Sequence, residues 1–262
     1  SEDLGGGMKA LYQMEWQVDM ADGTGTATGG TNLSSRNQFV GISGGMGTVL
    51  LGRLDTPAKT VQGSFDQFVD RVADMNADGM VGGDVRANNA IAFVSPEMGG
   101  MQLKVAIVPG ESSTAATGGA DCASECDGIA DANSISFTYK AGPLYVGVGL
   151  EGGDLVADQT RLVVTYKMDA LSAGFLYHET SDIGTEDETN MGLSAAYALG
   201  DNAVKFQYIS ATDNAGVADA DETTMTFGYD MKLSARTTAY ALYRMFDEAD
   251  VNNMGVGITH NF

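Results

Sequence analysis

The chain has 262 residues, enough for one β-domain of barrel size, and its 35 acidic and 14 basic side chains give a net charge of −21. This charge argues against a nucleic-acid partner, because phosphate binding requires a basic surface. Hydrophobic residues make up 44% of the chain, which is not the composition of a disordered protein. They never form the long uninterrupted run that a transmembrane helix requires.

The first long segment, residues 8–19, alternates between apolar and polar residues. One face carries Met8, Ala10, Tyr12, Met14, Trp16 and Val18, and the other carries Lys9, Gln13, Glu15, Gln17 and Asp19. Leu11 is the one apolar residue on the polar face. Because the side chains of a strand point alternately to its two faces, this pattern predicts a two-faced β-strand.

The same alternation recurs along the chain and predicts fourteen strands in all. The others cover residues 36–43, 48–54, 88–95, 101–108, 135–140, 144–150, 162–168, 171–177, 191–199, 204–208, 225–229, 237–246 and 252–262. In 237–246 aromatic and apolar residues lie on both sides, so its facing is left open. Short turns alternate with longer, more acidic loops, which is typical of an up-and-down antiparallel sheet. Strands of about eight to eleven residues are long enough to cross a membrane with a tilt.

The face opposite the apolar residues holds mostly Gly, Ala, Ser, Thr, Lys and Gln. A soluble barrel would hide its apolar face inside and show charge outside. A wide barrel with a wet interior and a lipid-facing exterior explains both faces. Closure would also leave no unpaired strand edge in the hydrocarbon. The predicted fold is an all-β, transmembrane, antiparallel up-and-down β-barrel, a single domain over residues 1–262.

One segment, residues 55–87, follows neither a helix nor a strand period. It carries the carboxylates Asp55, Asp66, Asp70, Asp74, Asp78 and Asp84, interrupted by the apolar Val61, Phe65 and Phe68. Loops this long inside a compact domain are usually functional or disordered. We interpret the segment as an acidic constriction loop folded into the barrel. The alternative is that its acids form a solvated outer surface.

Two cysteines, Cys122 and Cys126, lie in a loop-like stretch. An even count there favours a small disulfide and an oxidising compartment. Half a zinc site is the alternative, although no nearby His or third Cys completes it.

A second pattern, at Asp74, Asn76 and Asp78, matches the first half of a calcium loop. The expected Glu is absent, since Val85 occupies its place, and an Asp/Asn/Gly turn explains the same residues without metal. His178 and His260 are the only histidines, and no Ser-flanking motif supports a catalytic pair at either. We therefore expect no enzyme and no required cofactor, with calcium as an optional ligand.

The last strand adds a more specific signal. Met254, Val256, Ile258, His260 and Phe262 alternate up to a C-terminal Phe, which resembles the terminal signature of Gram-negative outer-membrane barrels. The stretches 1–5, 11–16, 35–41, 47–57 and 88–96 resemble the Gram-negative outer-membrane general (trimeric) porin family. The resemblance covers the whole chain and is greatest in its first hundred and last thirty residues.

This resemblance implies a multi-pass homotrimer in the outer membrane, surrounded by lipid and lipopolysaccharide, through which small hydrophilic solutes and ions diffuse passively. The third loop of the family forms an acidic half-ring opposite basic wall residues. By resemblance, the pore constriction of this chain consists of Arg36, Arg53 and Arg86 on the wall and Asp66, Asp70 and Asp74 on the loop. The net charge of −21 favours weak cation selectivity.

Two further expectations concern the extent of the barrel and its interior. Family barrels have sixteen strands, two of them before the stretch that matches residues 1–5, and only fourteen are visible here. We expect that these two strands are missing from the given chain rather than from the protein. The alternative function, from another class, is a structural or adhesive outer-membrane barrel with an occluded lumen.

Overall fold

The computed structural model describes residues 1–18, 33–76, 80–110, 128–154, 156–181, 183–247 and 252–262. Within them lie fifteen strands: β1 (Glu2–Gly5), β2 (Met8–Val18), β3 (Leu33–Gly44), β4 (Gly47–Asp55), β5 (Arg86–Val94), β6 (Met101–Val108), β7 (Ala132–Ala141), β8 (Leu144–Gly153), β9 (Asp158–Met168), β10 (Leu171–Ser181), β11 (Glu188–Leu199), β12 (Asn202–Thr212), β13 (Glu222–Lys232), β14 (Thr237–Phe246) and β15 (Asn252–His260). They form one sheet in chain order. Every pairing whose register is described is antiparallel. The predicted all-β, up-and-down fold is confirmed.

The strand missed by sequence reasoning is β1, which pairs with the start of β2 through Glu2 and Ala10. Its four residues are too few to show alternation. The turn that follows depends on Gly5, Gly6 and Gly7, whose φ angles of 78°, 61° and 79° are unfavourable for residues with a side chain. The other fourteen strands correspond to the predicted ones.

The alternation of faces holds along the sheet. Val40 and Ile42 on the apolar face are 58% and 55% exposed, whereas polar-face residues such as Arg161 and Gln207 are buried. The structure also settles the facing of β14, because Leu242 is buried and the neighbouring Tyr243 is exposed. An apolar face that stays exposed while the polar face is covered is the reverse of a soluble β-protein.

Helical structure in the described residues includes α1 (Pro57–Thr60) and a 3-10 turn at Asn214–Gly216. None of the helices in this part of the chain has the length and hydropathy needed to span a membrane.

The chain divides into two compact units. Unit 1 comprises residues 1–60, 84–136 and 151–157, and unit 2 comprises residues 61–83, 137–150 and 158–262. The core of unit 1 consists of small and apolar side chains from β4 to β7, including Leu54, Ala90 and Ala106. In unit 2 the loop residues Val61, Phe65, Met75, Met80 and Val81 pack with Val163, Leu176, Ile209 and Ala211 of the strands.

Candidate functional site

The three arginines expected on the wall all belong to unit 1 and lie on the consecutive strands β3, β4 and β5. Arg36 Nε is 2.6 Å from Glu15 Oε1, and Arg53 Nη1 donates to Asn88 Oδ1 at 2.5 Å. Arg36 and Arg53 each lie beside an irregularity in strand register. The one next to Arg36 falls between Met14 and Trp16 on the neighbouring strand β2, and the one next to Arg53 falls within β4, between Gly52 and Leu54. Such bulges change which face a side chain points to, and they are common beside functional sites.

Asp55, at the end of β4, organises the polar contacts around the third arginine. Its Oδ1 lies 3.0 Å from Arg86 Nη2 and 3.0 Å from Nζ of Lys59 on α1. Its Oδ2 accepts a hydrogen bond of 2.8 Å from Asn37 Nδ2. Two cations therefore share one carboxylate, and this part of unit 1 is locally basic in a strongly acidic protein.

A cavity of about 210 Å³ lies next to this carboxylate. Its lining residues are Gln13, Asn37, Phe39, Leu50, Leu54, Asp55, Pro57, Thr60, Ala92, Val94 and Lys104. Lys104 Nζ donates to Thr60 Oγ1 at 3.1 Å, so a third cation lies at its edge.

The segment 61–83 belongs to unit 2 and lies along the polar face of the unit 2 strands. Its first half is held by β8, β9 and β12. Tyr145 Oη donates to the carbonyl of Val61 at 2.8 Å, and the hydroxyls of Ser64 and Thr165 are 3.1 Å apart. The backbone of Gln67 both donates to Gln207 Oε1 at 2.9 Å and accepts from Lys205 Nζ at 3.0 Å.

The end of the segment, residues 80–83, lies over β11 and β9. Asn190 Nδ2 donates to the carbonyl of Met80 at 2.9 Å. Arg161 Nη2 donates to the carbonyl of Gly82 at 2.8 Å, and Gln159 Nε2 donates to that of Gly83 at 3.2 Å. Loop carbonyl groups that lose contact with water therefore accept hydrogen bonds from strand side chains instead.

An ion-pair cluster holds the middle of the segment. Arg71 binds Asp230 of β13 with both terminal nitrogens, at 2.6 and 3.1 Å. Lys205 Nζ lies 2.7 Å from the same carboxylate. The Arg71 guanidinium also lies over the ring of Tyr240, 4.1 Å from its centroid. Bidentate pairing and stacking together fix the orientation of a guanidinium.

The three loop acids expected at the constriction lie close together but in different environments. Asp66 is only 6% exposed, and it accepts the N–H of Phe68 at 2.7 Å and that of Met75 at 3.1 Å. Burial, with the charge of Asp74 adding to it, raises the pKa of Asp66 to about 6. Asp70 is exposed, and its N–H donates to Asp74 Oδ2 at 2.8 Å. These acids lie in unit 2, and the three arginines lie in unit 1.

The metal and disulfide hypotheses fall partly or wholly outside the described residues. Asp74 Oδ1 accepts two hydrogen bonds from Asn76, at 3.0 Å from its backbone N–H and at 3.3 Å from Nδ2. Asp78, Cys122 and Cys126 lie outside the described residues. Where the structure does describe the chain, no group of three His, Cys, Asp or Glu residues could hold a metal. Calcium binding and the disulfide stay predictions.

Sequence reasoning missed the side chains that hold the loop. The available signal was the presence of apolar residues on the polar face, such as Val163 and Leu176, which would be misplaced in a fully wet interior. They are buried because loop residues cover them. Asp230 gave no such signal, since an isolated acid on the polar face is expected there in any case.

Comparisons with known proteins agree with this arrangement. The sequence matches the Gram-negative porin family over residues 1–252. It is 28% identical to outer membrane porin protein 32 of Delftia acidovorans, covering 98% of this chain and 75% of that protein. It is also 28% identical to the major outer membrane protein P.IB of Neisseria gonorrhoeae, covering 91% and 73%.

Solved structures show the same fold at lower identity. A Salmonella typhi OmpF, solved in complex with daunomycin, has a TM-score of 0.77 at 14% identity and covers 99% of this chain and 87% of that one. A triple mutant of the Rhodopseudomonas blastica porin has a TM-score of 0.70 at 17% identity, covering 100% and 87%. These two likenesses concern the fold, and it is the family match that favours a channel over the structural or adhesive barrel. The chain belongs to the Gram-negative porins and is a multi-pass outer-membrane β-barrel that allows passive diffusion of small hydrophilic solutes.

Proposed function

We propose that the channel is weakly cation-selective and that Asp70 and Asp74 of the loop are the main source of this preference. The observation that carries the proposal is the exposure of Asp70 and the partial exposure of Asp74 on a loop that strand side chains hold in place. Charges on a fixed loop inside a narrow wet space act strongly on ions, because low-dielectric walls concentrate the field.

Asp66 has a different part in this proposal. Its carboxylate is buried and accepts hydrogen bonds from the loop backbone. We assign it to holding the loop rather than to contacting ions. In unit 1 Glu15 and Asp55 pair with arginines, and this pairing reduces the repulsion of cations by Arg36 and Arg86.

The reversal potential under a salt gradient in planar bilayers tests the proposal. Asp70→Asn combined with Asp74→Asn should shift it towards anion preference, with little change in conductance. The matched control is Glu186→Gln with Asp187→Asn, which removes two exposed charges from the loop between β10 and β11. An equal shift in the control would mean that overall charge sets the selectivity and would refute the assignment to the loop.

We also propose that the protein forms a homotrimer within outer-membrane lipid and lipopolysaccharide. The outer face of the sheet keeps large apolar side chains exposed on several strands, for example Val40 and Ile42 on β3 and Met191 and Leu193 on β11, and either lipid or a neighbouring subunit can cover them. Light scattering in detergent should give the mass of three chains. Val40→Asn with Ile42→Asn and Met191→Asn with Leu193→Asn test two separate parts of this face, and release of monomers by one pair but not by the other would locate the subunit contact. The mass of a single chain in the wild type would contradict the trimer.

We also propose that the protein has no enzymatic activity. His178 is fully buried, with Nδ1 accepting from Arg161 Nε at 3.3 Å and Nε2 lying 2.9 Å from Thr180 Oγ1. Both ring nitrogens are therefore used by the structure, which argues against a role as general base for a bound substrate.

A further inference from the structure

Several glycines on the polar face of unit 2 lie directly beneath apolar side chains of the loop. A Cβ atom added to Gly192 of β11 would lie 2.5 Å from Cζ of Phe65, and one added to Gly228 of β13 would overlap the ring of Phe68. A Cβ on Gly147 of β8 would lie 2.8 Å from Cγ1 of Val61. Carbon atoms in contact normally stay about 3.5–4.0 Å apart.

The apolar residues that fill these spaces have little freedom to move. Val61, Phe65 and Phe68 are completely buried. Hydrogen bonds to the strands hold the loop before the first ring, through the hydroxyl of Ser64, and between the two rings, through the backbone N–H and carbonyl of Gln67. A side chain added beneath them would therefore displace the loop rather than only turn a ring.

A further pair continues the row towards the end of the sheet. A Cβ on Gly255 of β15 would lie 2.8 Å from Cγ1 of Val72. The glycines occur on β8, β11, β13 and β15, and their partners follow in the same order along the loop, at 61, 65, 68 and 72. The same correspondence in chain order on four strands indicates a built feature rather than chance absence of side chains.

We propose that Gly147, Gly192, Gly228 and Gly255 are sockets that set the distance between the loop and the wall, and so determine the free cross-section of the channel. Each socket lets an apolar loop residue sit against the strand backbone. The glycines are positioning residues, since they act on solutes only through the loop. A methyl group in a socket requires the ring above it to move by roughly 1 Å to restore normal contact distances.

Single-channel conductance of Gly228→Ala tests the proposal. We expect lower conductance and greater open-channel current noise than in the wild type, because the loop is pushed into the open space and loses its fixed position. Phe68→Leu added to Gly228→Ala should return conductance towards the wild-type value, since a shorter side chain leaves room for the methyl group. Gly45→Ala is the control, because a Cβ there would have no atom within 4 Å.

Two results would overturn the proposal. One is wild-type conductance and noise in correctly folded Gly228→Ala, with only a lower thermal stability, which would make the glycine a packing residue alone. The other is a failure of Phe68→Leu to restore conductance. Should Gly228→Ala not fold, Gly192→Ala with and without Phe65→Leu applies the same test at an independent socket, where the nearest atom to an added Cβ belongs to the loop ring, and the same two results decide it.

Discussion

The Asp66 carboxylate joins two parts of the loop, because it accepts the N–H groups of Phe68 and of Met75, nine residues further on. A buried acceptor that pairs with two backbone donors stabilises a local fold that has no regular hydrogen-bond ladder of its own. The same burial opposes ionisation of the carboxyl group. Asp66 is thus an acid whose position within the loop matters more than its charge.

A pH dependence follows from the pKa of Asp66, raised to about 6. The protonated form is favoured in the fold, so the stabilisation from this group is complete below about pH 4 and is lost as the pH rises through about 6. The free energy of unfolding of the wild type, relative to Asp66→Asn, should fall by up to roughly 3 kcal/mol between pH 4 and pH 7. Urea titrations in detergent at both pH values measure it, and a constant difference would contradict the prediction.

At the scale of elements, the loop 61–83 and the unit 2 strands stabilise each other through the ion pairs of Asp230. Asp230→Asn would leave Arg71 and Lys205 without their shared anion in a partly buried place. We expect a loss of roughly 1–3 kcal/mol in unfolding free energy and more current noise. Asp201→Asn removes an exposed pair with Lys232 and should cost well under 1 kcal/mol. Equal losses in the two variants would argue against loop anchoring by Asp230.

Substitutions on the outer, apolar face of the strands should affect stability in a different way. Val148 of β8 is exposed on the apolar face, as the sequence predicts, and Phe206 lies on the same face of β12 beside Phe227. Val148→Arg should cost about 2–4 kcal/mol if the site lies near the midplane of the bilayer. Val148→Leu keeps the surface apolar and should be close to neutral. Unfolding titrations in lipid vesicles compare them, and an unaffected Val148→Arg would refute lipid exposure.

For the whole molecule, the contribution of the net charge of −21 to ion preference should depend on salt concentration differently from the contribution of the few loop acids. Charges on outer loops are screened within about 10 Å at 0.1 M salt and about 3 Å at 1 M. The wild type should therefore keep a cation preference at high salt, whereas Asp70→Asn with Asp74→Asn should lose it. Reversal potentials at one activity ratio and two mean concentrations measure this. If both proteins lose the preference equally, distant charge is its source.

The sequence by itself determined fourteen of the fifteen described strands, their order and, except in β14, their faces. These features depend on a period of two residues, which is local and survives without knowledge of distant partners. It also located Arg36 and Arg53 on neighbouring strands, because antiparallel neighbours in an up-and-down sheet follow one another in the chain. Arg86 was predicted to lie at the end of the loop 55–87, whereas in the structure it begins β5. The strand β1 escaped because four residues are too short for a period.

Only the tertiary structure decided the path of the loop and the part that each of its acids takes. Asp66 has the same sequence signal as Asp70, yet one is buried and the other exposed. The contacts that separate them join residues far apart in the chain, such as Arg71 and Asp230 at a separation of 159. A glycine on a strand does not show in the sequence what lies above it. The sockets at Gly192 and Gly228 can be recognised only from the structure, in which the rings of Phe65 and Phe68 lie over them.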